Sequence, residues 1–231
     1  MTDRDRHARP PHRSSHRSAH RTFIALTPSS TLRQRLVAAR DRLADLLAAP
    51  PSDRRSATDA AAPVRWVAPA SLHLTLAFLG DLSAPLRRAA ACAVAEAAAE
   101  TAPFDWGVRG WGGFPTRERA RVLWVGVDPG AEAIVDLQAR LVQRLRAHGV
   151  PVDVHRRFVP HLTLGRLRGR RATVQVPDRT DGPDGPASRG SAPTCRADRL
   201  QVLVRRPAPA GPRYRSVVTL PVGGGSDERR A

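Results

Sequence analysis

Lysine and asparagine are missing from this sequence, cysteine occurs twice, methionine and tyrosine once each, and Phe, Trp and Tyr together make up 4% of it. Each shortage excludes something. Cys92 and Cys195 stand in no CxxC or CxxH pattern, which rules out a disulfide framework and an ordinary structural zinc site and suits a reducing compartment. No apolar run approaches the ~18 residues of a membrane span, so no membrane association is expected. The N-terminus carries no apolar h-region, so no secretory signal is expected either, and a cytoplasmic location follows. An HExxH motif, a P-loop and a carboxylate cluster are all wanting, which argues against metalloprotease, nucleotide triphosphatase and two-metal chemistry. A GxSxG elbow is also lacking. No cofactor and no metal are expected.

What is present in abundance is arginine. The formal charge is +17, all of its 38 cationic side chains being Arg. Clustered cations attract phosphates, so a polyanionic partner is one reading. The other is compositional: Arg, Ala, Gly and Pro together are what a GC-rich coding sequence yields. At 231 residues and 41% hydrophobic the chain is long enough for one sizeable domain or two small lobes with a real core.

A tetrapeptide occurs twice: His73-Leu74-Thr75-Leu76 and His161-Leu162-Thr163-Leu164. Along a β-strand successive side chains alternate faces, so each copy puts His and Thr on one face and two leucines on the other. Two such strands side by side would line one cleft with two imidazoles and two hydroxyls.

The surrounding text repeats as well. Residues 1–20 read as a basic disordered tail whose four histidines have no ligand partners at spacing. Thr22–Leu26 reads as a strand, and Ser29 or Ser30 caps a helix with Leu32, Leu36, Ala39, Leu43, Leu46 and Leu47 on one stripe. After a loop at 50–63, VRWV is extended, with Trp66 as a buried anchor, and the first HLTL strand runs to Gly80. Ser83 and Pro85 open an alanine-rich helix to about Glu100. Residues 121–127 form a strand, a helix with Ile134, Leu137, Leu141 and Leu145 on one face ends at Gly149, and the second HLTL strand follows. His148 is explained by the helix dipole. A loop at about 170–196 leads to a closing antiparallel pair, 200–204 and 214–222, and then a tail, 223–231. Strand, helix and HLTL strand thus occur twice in the same order. The expected fold is α+β and bilobal: two pseudo-symmetric lobes, antiparallel sheets flanked by helices, over 21–222, with the active cleft between them.

Two imidazoles facing one space suffice to remove a proton at one end of a reaction and donate one at the other, and threonine hydroxyls can hold phosphate oxygens. A lone His in an apolar strand is usually a satisfied core residue. Two in identical tetrapeptides at equivalent places of a repeated unit favour a shared task.

These paired motifs, with RWVAPASLHLTLAFLGDL, GFPTRERARVLWVGV, RRFVPHLTLGRL and GPRYRSVVTLPV, resemble the 2H phosphoesterase superfamily, specifically bacterial RNA 2',3'-cyclic phosphodiesterases, also called 2'-5' RNA ligases. The resemblance implies hydrolysis of a ribose 2',3'-cyclic phosphate, at an RNA end or on a nucleotide, to a 2'-phosphomonoester without metal, and in reverse a 2'-5' ligation. It implies His73 as general acid, His161 as general base, and Thr75 and Thr163 as phosphate ligands. It also points to Phe78 and Arg166, each five residues after its His, as substrate contacts. Strand parity puts both on the leucine face, so they reach the cleft only through a bulge or twist; otherwise Phe78 is a core residue and Arg166 a rim or structural cation. Phe158 is a further candidate for stacking on a base, or packs beneath the motif. A monomer is expected. The rivals are another cyclic phosphate or a 2'-5' oligonucleotide as substrate, or a non-catalytic RNA binder.

Overall fold

The computed structural model describes residues 21–48, 64–153, 157–169, 172–177, 194–206 and 213–223. The tails at 1–20 and 224–231, the loop at 50–63 and most of 170–196 lie outside the described residues. Ten strands and three α-helices are described: β1 (Arg21–Leu26), α1 (Ser30–Ala48), β2 (Val64–Trp66), β3 (Leu74–Gly80), α2 (Ala84–Ala99), β4 (Phe104–Trp106), β5 (Val108–Phe114), β6 (Val122–Val127), α3 (Ala131–Ala147), β7 (His161–Leu167), β8 (Cys195–Ala197), β9 (Arg199–Arg206) and β10 (Arg213–Pro221). A single 3-10 turn, Pro69–Ser71, precedes β3.

Local chemistry starts and stops the helices where the sequence indicates. The Leu32 amide donates to Ser29 Oγ at 3.2 Å and opens α1. Ser83 accepts from the Leu86 amide and Pro85 stands in the first turn of α2. Gly149, at φ +67°, follows α3 in the left-handed conformation that ends many helices.

Eight strands form one antiparallel sheet in the order β10-β9-β1-β3-β7-β6-β5, with β2 also paired to β7; β4 and β8 form a separate two-stranded sheet. The repeat is real: β1-α1-β3 and β6-α3-β7 are equivalent units, and their HLTL strands lie side by side in the middle. The two lobes are therefore one sheet joined at a seam, where β3 and β7 share a single pair, Leu74 with Leu162. The helices cover one face. Leu32, Leu36 and Leu43 of α1, Ala90, Ala93, Val94 and Ala97 of α2, and Ile134, Leu137 and Leu141 of α3 bury against Ile24, Leu74, Leu76, Leu123, Leu162 and Leu164. Each half's helix crosses the seam, α1 meeting β7 and α3 meeting β3. At ~25 cal/mol per Å² of buried apolar surface, this shared core, rather than the one-pair seam, holds the halves together.

Two features depart from the expected loop at 170–196. Ala120 bridges Val174, and Val176 is buried against Gly113, where an added Cβ would lie 2.9 Å from Val176 Cγ2. Cys195–Ala197 is strand β8, paired with β4. With three residues and few apolar positions, neither segment carries a periodicity long enough to read. Trp66 is half-buried over Gly165, whose added Cβ would meet the indole at 2.8 Å. His148 is the C-cap of α3, and its Nε2 lies 2.8 Å from Glu96 Oε1 on α2, a structural pairing.

Candidate active site

The sheet face away from the helices carries the site. Leu74, Leu76, Leu162 and Leu164 are all buried on the helix side, and His73, Thr75, His161 and Thr163 are half-buried on the other. The single Leu74–Leu162 pair brings the two motifs side by side at the seam, and the two imidazoles stand within electrostatic reach of each other.

Each imidazole is oriented in the same way. His73 Nδ1 lies 2.7 Å from the Ser71 carbonyl oxygen, and His161 Nδ1 lies 2.7 Å from the Val159 carbonyl oxygen. A carbonyl only accepts, so Nδ1 carries the proton and donates, and Nε2 is left with the lone pair for chemistry. Pro69 and Pro160 precede the motifs and help set the turns that present these carbonyls.

Each ring is also clamped by a pair of aromatic groups. His73 sits 4.9 Å from Phe23 and 4.9 Å from Tyr214, ring centre to ring centre; His161 sits 5.0 Å from Phe114 and 5.8 Å from Trp124. Half of the ten Phe, Trp and Tyr residues in the sequence thus gather at this face once Phe78 is counted. On the first half they form, with Ala25 and Leu203, a small apolar cluster separate from the main core. Tyr214 is on β10, at the sheet's far margin, yet touches His73; the sheet must curl its far corner over the cleft.

Burial pushes the pKa of His73 down, the hydrogen bond to Ser71 opposes this, and the charges of Arg166 and His161 push further down. His161 is lowered likewise by burial, opposed by its bond to Val159 and assisted by Arg166. Burial also lowers the Arg166 guanidinium, with Tyr214 opposing and Arg205 assisting. Arg166 therefore stands within electrostatic reach of both imidazoles.

The condition that parity set for Phe78 and Arg166 is met by a pair of matching β-bulges. Ile24 pairs with Ala77 and Ala25 with Thr75, so Leu76 is the extra residue on β3. Leu123 pairs with Gly165 and Trp124 with Thr163, so Leu164 is the extra residue on β7. Both extra residues stand three after their histidine, and each bulge turns the rest of its strand over. Phe78 is consequently 61% exposed beside Phe23, and Arg166 is exposed on the imidazole face. Phe158, by contrast, is half-buried against the main core. Tyr214, Phe23, Phe114 and Trp124 were not singled out from the sequence; only their places on strands flanking the motifs could have marked them.

Among the described residues no group of three or more His, Cys, Asp or Glu could hold a metal ion. Nor is any helix among them long and apolar enough to cross a membrane.

Comparison with known proteins agrees with this geometry. The sequence matches the family model of the 2'-5' RNA ligase superfamily over residues 62–208. It is 32% identical over 151 residues to an RNA 2',3'-cyclic phosphodiesterase of Methanothermobacter thermautotrophicus, covering 65% of this chain and 73% of that one. It is 37% identical over 105 residues to the RNA 2',3'-cyclic phosphodiesterase of Aquifex aeolicus, covering 45% of this chain and 55% of the relative, so the match spans only about half of that protein. In fold the chain is similar to E. coli LigT, solved with 3'-AMP, at TM-score 0.63 and 23% identity over 88% of this chain and 98% of that one.

Proposed function

This chain belongs to the 2'-5' RNA ligase superfamily, and from that premise we propose that it hydrolyses a ribose 2',3'-cyclic phosphate to a 2'-phosphomonoester by two-histidine acid–base catalysis. The observation that carries the reading is the pair of imidazoles, each tied at Nδ1 to a main-chain carbonyl at 2.7 Å, on adjoining strands of one sheet. His161 Nε2 takes a proton from water as the water oxygen bonds to phosphorus. The bond from phosphorus to the 3'-oxygen breaks, and His73 Nε2 gives that oxygen a proton. Thr75 and Thr163 donate hydrogen bonds to the non-bridging oxygens. The site returns to its starting state when His73 regains a proton and His161 loses one. A 5'-hydroxyl end in place of water gives its proton to His161 and bonds to phosphorus as the 3'-oxygen leaves, which yields a 2'-5' linkage.

Burial and Arg166 hold both imidazoles below their ordinary pKa, so the free site is mostly neutral at pH 7. The anionic phosphodiester favours the protonated form of the acid, so substrate and proton enter together. Every step uses the chain's own side chains and requires no metal. Phe78, exposed at the cleft edge, offers a face to the base, and Arg166 a cation to the phosphate. Phe158 acts as packing beneath the second motif. A cytoplasmic monomer acting on RNA ends fits this reading.

The test is incubation of the purified protein, with EDTA, with a short RNA ending in a 2',3'-cyclic phosphate. The expected product carries a 2'-phosphate. A 3'-phosphate product, or activity that EDTA abolishes and Mg²⁺ restores, overturns the mechanism. Salt-sensitive RNA binding with no turnover would instead mark a non-catalytic binder.

A further inference from the structure

The sheet holds two like-charged pairs that its own stability does not explain. Arg65 on β2 lies directly opposite Arg166 on β7, and Arg21 on β1 lies directly opposite Arg205 on β9. Directly opposed residues share a face, and like charges so placed are destabilising. Both pairs are on the imidazole face. Arg65 lies between Val64 and Trp66, which pack against the core on the other side, and Arg21 and Arg205 stand two residues from Phe23 and Leu203 of the cleft cluster. Among the described residues Arg40, Arg109, Arg140, Arg144 and Arg196 each have a carboxylate within ion-pair distance, and none of these four does. The pairs stand on opposite sides of the seam. Tyr214, paired with Arg205, touches His73, and Arg205 is near enough to Arg166 to act on its charge.

Four guanidinium groups without carboxylates, all on the imidazole face, call for more negative charge than one cyclic phosphodiester supplies. Arginine's planar fork suits phosphate oxygens. We propose that Arg21, Arg65 and Arg205, beside the Arg166 that serves the cyclic phosphate, form a second phosphate site, adjoining the two-histidine centre, for the phosphodiester on the 5'-oxygen of the terminal nucleoside of an RNA strand. This rests on the reading above that the histidines act on a terminal cyclic phosphate. The next charge along such a strand is the phosphate on the 5'-oxygen of the same nucleoside, which is why a strand rather than a bare nucleotide fills both sites.

Three substrates test it: a nucleoside 2',3'-cyclic phosphate, the same compound with a 5'-phosphate, and a dinucleotide ending in that cyclic phosphate. For the wild type, kcat/KM is expected to rise at least ~10-fold from the first to the other two, mainly through KM, the scale of a charge-assisted hydrogen bond. In Arg21→Gln/Arg65→Gln that advantage is expected to shrink to within threefold, and the salt slope for the dinucleotide to fall by about one per arginine removed. No advantage in the wild type, or an undiminished one in the double variant, overturns the proposal. So does a lower Tm in both single variants, since removing one member of a like-charged pair is expected to leave Tm equal or higher. If the wild type turns over none of the three, the catalytic reading fails instead. The second site is then judged by fluorescence anisotropy with a labelled dinucleotide ending in a 3'-phosphate, where equal affinity of wild type and double variant overturns it.

Discussion

The half of the sheet that carries His73 and the half that carries His161 agree around the imidazole and differ beyond the bulge that follows it. Both have a strand, a helix and an HLTL strand; both tie Nδ1 to a carbonyl two residues back at 2.7 Å; both clamp the ring between two aromatic groups; both bulge three residues after the histidine. After the bulge they part. The first half presents Phe78 and the second Arg166. A phosphodiester bracketed by two like imidazoles has no preferred orientation from them alone. On the proposed reading an apolar ring on one side and a guanidinium on the other supply one, so the unlike residues are expected to decide which oxygen faces which histidine and the like residues to do the chemistry.

The largest effect breaks the like part. His73→Ala and His161→Ala are each expected to lower kcat/KM on a 2',3'-cyclic phosphate by at least ~10²-fold, the scale of losing a general acid or base. Because the two act as a unit, the double variant is expected to fall within about tenfold of the worse single one. Steady-state kinetics on the three variants decide it: one histidine leaving turnover within threefold of wild type would mean that the halves are alike in form only.

How much of this was open to a reader of the sequence follows from the range of each interaction. The alternation of His73, Leu74, Thr75 and Leu76 is set by one strand's pleat and was legible, as were Ser83 and Pro85 at a helix start. The order strand, helix, HLTL strand was legible because it occurs twice. The bulges at Leu76 and Leu164 were not, because nothing in LTLAF or LTLGR differs from an unbroken strand; the extra residue exists only relative to a neighbouring strand. The same holds for Tyr214, which reaches His73 only because the sheet curls. Gly112, on whose position the Trp124 ring rests, makes room for the indole that clamps His161, a need set by a neighbouring strand and so not readable from its own.

A smaller effect sharpens the unlike part. Arg166 lowers the pKa of both imidazoles, after burial and against the carbonyl bonds, so Arg166→Gln is expected to raise both. The profile of kcat/KM against pH requires one histidine protonated and the other neutral, so both of its limbs move to higher pH. The expected loss at the optimum is about tenfold, that of one charge-assisted contact. Phe78→Leu removes no charge and is expected to leave both limbs in place while raising KM. A profile that stays still in Arg166→Gln, or moves in Phe78→Leu, would undo the division between proton handling and substrate holding.

The smallest effect concerns stability. Burial holds His73 and His161 below the ordinary value of about 6.5 that they regain on unfolding. As pH falls below that value the unfolded chain takes up protons first, so stability declines as pH drops toward the lower folded pKa and then levels off; above pH ~7 the effect is absent. Urea unfolding at pH 7.5 and 5.5 is therefore expected to show a larger acid-side loss for wild type than for His73→Gln or His161→Gln. The repulsion between the two imidazoles is mutual, so either substitution is expected to relieve part of the loss. Equal acid sensitivity in all three proteins would mean that the imidazoles are not desolvated.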